Sequence, residues 1–164
     1  MKKSPKIIKE LNDHYNLNFQ LGIEYLALSQ KMFKIGMLNL ADYIKTLAED
    51  KLTTHKDKLF YYLIDQDINI ENNFRTFDSS KFVKPIDVVE HILEQEGMVK
   101  EKILEISKLS LKEDDHESFH FLTWFVNDGV KDYNEVKNIR NLFNLTDDTL
   151  SVDQAIKELG YTNS

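Results

Sequence analysis

The 164-residue chain has no cysteine, two prolines, five glycines and one tryptophan. Without cysteine there is no disulfide framework, no thiolate nucleophile, no cysteine-type zinc site and no cysteine-ligated iron–sulfur cluster. So few prolines and glycines leave long stretches of chain uninterrupted. No run approaches the roughly 20 apolar residues that a membrane span needs. The start, Met1-Lys-Lys-Ser-Pro-Lys-Ile-Ile-Lys-Glu, runs into charge where a signal peptide would carry its apolar segment. A cytoplasmic protein without a membrane partner is therefore expected. An excess of positive charge is also missing, since 21 Lys and Arg face 28 Asp and Glu for a formal charge of −7. Binding to phosphate backbones through counterion release needs clustered cations, so no nucleic-acid partner is expected. The balance suits a partner that is itself cationic, metal ions included. With 41% hydrophobic residues, 11% of the chain being aromatic, there is enough to build one core, and residues 1–164 read as a single domain.

Apolar residues recur at three- to four-residue steps in four long stretches. Ser4-Pro5 reads as an N-cap followed by proline at the first helical position, and the first stretch runs from there to Gly36 with Ile8, Leu11, Tyr15, Phe19, Leu26 and Phe33. The second, about 38–64, carries Ile44, Leu47, Leu52 and Leu59; the third starts at Pro85 with Val88, Ile92, Val99 and Ile103; the fourth, about 113–143, carries Phe121, Phe125, Val136 and Ile139. No stretch alternates as a strand does, so the fold class is all-α. Stretches one and two meet at Gly36, and three and four near Ser110, which makes two antiparallel hairpins. The 19 residues from Gln66 to Lys84 have no periodicity of their own. They can extend to roughly 60 Å, enough to travel a helix of roughly 40 Å, so they fit a crossover along the bundle as well as a surface loop. Ser151-Val-Asp-Gln154 reads as a capping box opening a short fifth helix that ends at Gly160.

Polar residues interrupt each apolar stripe near its middle. His14 and Asn18 share a row with Leu21 and Tyr25; His55 lies between Leu52 and Leu59; Glu96 lies between Ile92 and Val99; Asp128, Gly129 and Asp132 lie between Phe125 and Val136. In a bundle these groups would meet in one layer. Buried carboxylates are costly unless a cation or a hydrogen-bonding partner joins them. Two readings fit. One is a metal held by oxygen ligands and one imidazole, a set that suits iron, manganese or zinc. The other is a self-satisfied layer with His55 paired to Glu96 and the aspartates reaching solvent, Lys51 or Lys131.

The segment Leu11-Asn12 through Tyr25, His55 with Lys58-Leu59-Phe60, and above all Phe119-His-Phe-Leu-Thr-Trp-Phe-Val126 resemble a bacterial non-haem ferritin. The last follows that family's Phe-Asn-Phe-Leu-Gln-Trp-Tyr-Val almost position by position, and the resemblance runs from about residue 5 to the C-terminus. It implies a ferritin-like four-helix bundle with one long crossover from helix 2 to helix 3 and a short fifth helix. It also implies self-association into a hollow shell of about 24 subunits that stores ferric mineral. Its partners would be Fe²⁺ and an oxidant, O₂ or peroxide, with iron and no haem as the cofactor.

Carried over residue by residue, the family's di-iron site is incomplete. Its helix-one glutamate falls on Asn18 and its Glu-x-x-His on Leu52-Thr-Thr-His55, so the histidine is kept and the glutamate lost. The helix-three glutamate is matched by Glu96, the helix-four glutamine falls on Gly129, and the third-site carboxylates fall on Lys51, Asp128, Lys131 and Asp132. The resemblance thus implies His55, Glu96, Asp132 and Asp128 as metal ligands and Tyr25, His55 and Glu96 as catalytic residues. Oxidation is expected to be slow and atypical, with Lys51 and Lys131 disfavouring a further cation. Asp50 and Asp57 are expected to face the cavity. The run Glu113, Asp114, Asp115, Glu117 sits where the family forms three-fold pores and reads either as an iron-attracting ring or as helix caps. Two alternatives to storage with oxidation stay open: an inert shell subunit that only nucleates mineral, and a helical-bundle interaction protein without metal function.

Overall fold

A computed structural model describes residues 3–163; Met1 and Lys2, which belong to the basic start, and Ser164 lie outside the described residues. Helix α1 spans Pro5–Lys34 and opens as its sequence predicts, with Ser4 Oγ accepting from the Ile7 N–H at 3.2 Å and proline at the first helical position. Gly36, at φ 85°, makes the turn into α2, Leu38–Asp50, where a residue with Cβ would be strained. A π-helical turn, Lys51–His55, joins α2 to α3, Lys56–Asp65, so the second rod of the bundle is continuous but locally unwound. Helix α4 spans Pro85–Lys112 and α5 spans His116–Leu142, opened by an Asp115 cap. Helix α6, Thr149–Leu159, closes on left-handed Gly160. Its cap is Asp148, three residues before the expected Ser151. The carboxylate outcompetes the hydroxyl for the free N–H groups, and Ser151 Oγ instead donates to Asp148 Oδ2 at 2.6 Å.

Rods α1 and α2–α3 form one hairpin, α4 and α5 the other. The start of α4, with Val88 and Val89, shares a core cluster with Leu40 and Ala41 at the start of α2, so segment 66–84 does carry the chain back along the bundle. The helix α6 lies across that same end. Val152 and Ile156 enter the core, and Asp153 accepts from the backbone N–H groups of Leu40 at 2.9 Å and Asn39 at 3.1 Å, satisfying donors that the start of α2 leaves open. The core is divided. One apolar cluster fills this end, a second gathers Ile7, Leu11, Leu59, Leu63, Ile106 and Leu122 at the other, and a polar layer separates them.

The crossover is held by three carboxamides on α1, spaced four residues apart. Asn12 Oδ1 accepts from Glu71 N at 2.9 Å, Asn16 Oδ1 from Asn73 N at 2.8 Å and Gln20 Oε1 from Arg75 N at 2.9 Å. Each side chain also donates to a backbone carbonyl, Asn12 and Asn16 to Glu71 and Gln20 to Arg75. Four helical residues rise about 6 Å and two extended residues about 6.6 Å, so every fourth position on the helix meets every second position of the strap. An aperiodic segment is thereby clamped without a sheet. Substituting Asn16→Ala removes two of these bonds, at roughly 1 kcal/mol each, and amide exchange at Asn73 is expected to speed up several-fold. Asn16→Asp, which keeps the acceptor and loses the donor, should fall between.

His14 on α1 is buried against Phe125 with neither ring nitrogen hydrogen-bonded. Burial, reinforced by Lys51 and His55, pushes its pKa from the ordinary 6.5 down to about 3. The unfolded chain therefore takes up this proton first, and stability falls as the pH drops through 6.5 towards 3. At pH 4.5 the loss from His14 alone is on the order of 2–3 kcal/mol. Urea unfolding of His14→Leu at pH 7 and pH 4.5 should show a smaller acid penalty than the parent; an equal penalty would place the sensitivity elsewhere.

Candidate metal centre

The polar layer resolves into two groups. In the first, Lys51 from the π turn is fully buried, with its Nζ 3.2 Å from Glu96 Oε1 on α4. Glu96 Oε2 accepts from the hydroxyl of Tyr25 on α1 at 2.7 Å. Burial disfavours the Lys51 ammonium, but Glu96, Asp132 and Asp128 outweigh it and hold its pKa above the usual lysine value. Burial and Glu96 together push the Tyr25 phenol well above its usual range, so it stays protonated as a donor. Both carboxylate oxygens are thus engaged, while Lys51 Nζ meets Glu96 by charge without a well-aligned hydrogen bond.

The second group is a cluster of Asp50, His55, Asp128 and Asp132, whose potential ligand atoms all lie within 4.8 Å of one another. His55 Nε2 is 2.8 Å from Asp128 Oδ2, 3.1 Å from Asp50 Oδ2 and 3.9 Å from Asp132 Oδ2. Two helical turns supply it. The π turn places Asp50 and His55, five apart in sequence, on one side of the second rod, and α5 presents Asp128 and Asp132 four apart on one face. Trp124 meets the His55 ring edge-on, with centroids 5.1 Å apart.

Its electrostatics are those of a site holding protons in place of a cation. Burial disfavours the His55 imidazolium, yet Asp128 and Asp50 outweigh it and raise its pKa above the usual histidine value. For Asp132 burial prevails over the opposing field of Lys51, and with Glu96 and Asp128 adding to it the pKa is pushed up to about 8. Asp128 and Asp50, although partly buried, are held below the usual aspartate value by His55. The donor set of three carboxylates and one imidazole suits a divalent first-row metal. His55 Nδ1 is buried without a hydrogen bond, so the ring lacks the rear partner that orients histidine in tight metal sites.

Of the residues expected to bind metal, His55, Asp128 and Asp132 thus come together, whereas Glu96 is tied to Lys51 and Tyr25. Asp50, expected at a cavity face, completes the cluster. At the helix-two glutamate position of the resemblance, Leu52 packs against Gly22, where an added Cβ would lie 2.5 Å from Leu52 Cγ. At the helix-one position Asn18 donates to the His14 carbonyl at 2.9 Å. Two adjacent irons do not fit these residues, because Asn18 and Leu52 stand at the two carboxylate positions and an ammonium lies 3.2 Å from Glu96. In the acidic run, Asp115 caps α5 through Ser118 N at 3.0 Å and pairs with Lys3 at 3.1 Å. Glu117 accepts from Gln66 at 2.6 Å, and Glu113 and Asp114 remain exposed.

Among the described residues no helix is long and apolar enough to cross a membrane. The bacterial non-heme ferritin of Staphylococcus aureus is 24% identical over 96% of this chain and 95% of its own length. An uncharacterized protein of Ureaplasma urealyticum is 36% identical over 99% of this chain and 95% of its own length. Among solved structures, that of M. penetrans ferritin matches with a TM-score of 0.86 at 21% identity, covering 95% of this chain and 96% of the other, a likeness of fold. The ferritin-like domain family matches residues 8–146, and with a four-helix bundle, a single long crossover and a carboxylate–histidine cluster between its rods, this chain belongs to the ferritin-like family.

Proposed function

We propose that this chain stores iron: it takes up Fe²⁺, oxidises it slowly at one site per subunit and deposits ferric mineral inside a shell of about 24 subunits in the cytoplasm. The observation that carries this reading is the buried cluster Asp50, His55, Asp128 and Asp132 on a ferritin-like bundle. Fe²⁺ is here the substrate. The three carboxylates and His55 Nε2 hold it, and the carboxylates favour the Fe³⁺ product because they stabilise the added charge. Each ion surrenders one electron, so an oxidant that accepts two or four is reduced over several ions. Tyr25 holds Glu96, and Glu96 holds Lys51, so these residues support the cluster from one side without supplying ligands to it. Glu113 and Asp114 offer exposed acidic side chains for attracting incoming iron.

The buried Lys51–Glu96 pair favours a second reading, an inert shell subunit that nucleates mineral on its acidic surface alone. Aerobic Fe²⁺ loading of metal-free protein, followed by size exclusion with iron and protein detected together, separates the two. The expected result is iron eluting with a large particle, and an oxidation rate cut about tenfold or more in His55→Ala. An unchanged rate in assembled His55→Ala would establish the inert subunit, and an iron-free particle would end the storage reading.

The protons on His55 and Asp132 add a pH dependence. A cation bound at the cluster must displace both, since neutral imidazole and ionised carboxylate are the ligating forms. Affinity for Fe²⁺ under anaerobic conditions should therefore rise between pH 6 and pH 8, by about tenfold per pH unit from the Asp132 proton, with His55 steepening the acid end of that range. Calorimetry in buffers of different ionisation enthalpy should detect the released protons.

A further inference from the structure

The pair of Lys51 and Glu96 differs from the neighbouring carboxylate–histidine cluster in chemistry as well as in position. A lysine with no exposed surface is rare, and here its ammonium meets one carboxylate at 3.2 Å and acts on Asp132 and Asp128 across the layer. Glu96 is itself 2% exposed, and its other oxygen is fixed by the fully buried Tyr25. Such a pair contributes little net stability compared with apolar residues of the same volume, whereas loss of one partner strands a buried charge. Remove the ammonium and the layer keeps Glu96, a buried carboxylate, with no cation beside it. That position lies near enough to the cluster for Lys51 and Glu96 both to act electrostatically on Asp132.

We propose that Lys51 sets how many divalent cations the bundle centre holds: its ammonium is the resident cation of a second subsite, built on Glu96 with Tyr25 orienting it. The chain then takes one transition-metal ion per subunit, at Asp50, His55, Asp128 and Asp132, and the Lys51 charge supplies the neutralisation that a second ion would otherwise provide. The inference rests on the reading of that cluster as the cation site. Lys51 touches no substrate in this scheme and acts by occupying space and charge.

The test is Co²⁺ binding to the assembled protein, followed by calorimetry and by cobalt d–d absorption, with thermal unfolding measured in the presence and absence of Co²⁺. The unsubstituted protein is expected to bind one Co²⁺ per subunit. Lys51→Met, which keeps the unbranched side chain one atom shorter and without its charge, is expected to bind two and to gain more thermal stability from Co²⁺. In Lys51→Met/Glu96→Gln the carboxylate is neutralised as well, and the count should return to one. The proposal is overturned if Lys51→Met still binds one ion with no greater metal dependence of its unfolding, or if the unsubstituted protein already binds two. It is also overturned if Lys51→Met does not fold even with Co²⁺ while the double variant does, since Glu96 would then be unable to recruit a cation. No ion in the unsubstituted protein and one in Lys51→Met would sink the cluster reading and sustain the role of Lys51.

Discussion

The contact on which the centre of this bundle depends is the buried ion pair between Lys51 and Glu96. Two apolar clusters lie above and below it, and neither can close over bare charges. The pair fixes the polarity of the whole layer. Lys51 adds to the burial that keeps His14 a neutral ring, opposes the burial that raises Asp132, and leaves His55 to the remaining aspartates. A bundle centre that gathers carboxylates thus carries a buried positive charge placed there by its own backbone register.

That register comes from the π turn. In an unbroken α-helix residues five apart point in well-separated directions, so Asp50 and His55 would not converge. The wider turn over 51–55 brings them together and at the same time drives Lys51 inward and Leu52 against Gly22. One local distortion therefore assembles the four-residue cluster and fills the neighbouring subsite. The cost of unwinding is offset by the packing of Leu52 into a gap that only glycine leaves open.

Much of the architecture is legible in the sequence because it rests on local signals. Ser4-Pro5, Gly36, Pro85 and Gly160 punctuate the helices where the structure ends or begins them. The convergence of His55 with Asp128 and Asp132 follows from helical stripes. Other features depend on geometry that stripes do not encode. Asp50 is invisible as a cluster member at α-helical spacing, because its alignment with His55 needs the π turn. Lys51 reads as a nearby positive charge, yet its full burial depends on a partner 45 positions later. The spacing Asn12, Asn16, Gln20 was available as a signal: three carboxamides on one face with an aperiodic segment to follow offer both donors and acceptors to an extended strap. The acidic run divides similarly, since Asp115 is absorbed as a cap once the hairpin turns there.

The departures from the ferritin pattern form a consistent set. Losing carboxylates from positions 18 and 52 removes negative charge from the layer, and placing lysine at 51 adds positive charge beside it. Either change alone would leave the centre unbalanced, the first with fewer ligands than a pair of ions needs and the second with an ammonium held close to those ions. Together they suit a single cation. Glu96 then has a reason to persist as a buried carboxylate, because Lys51 has taken the role of its metal, and Tyr25 persists to hold Glu96 in line. Asp132, with a pKa near 8, sits at the boundary between the two halves and is the carboxyl whose proton balance a bound cation would change most.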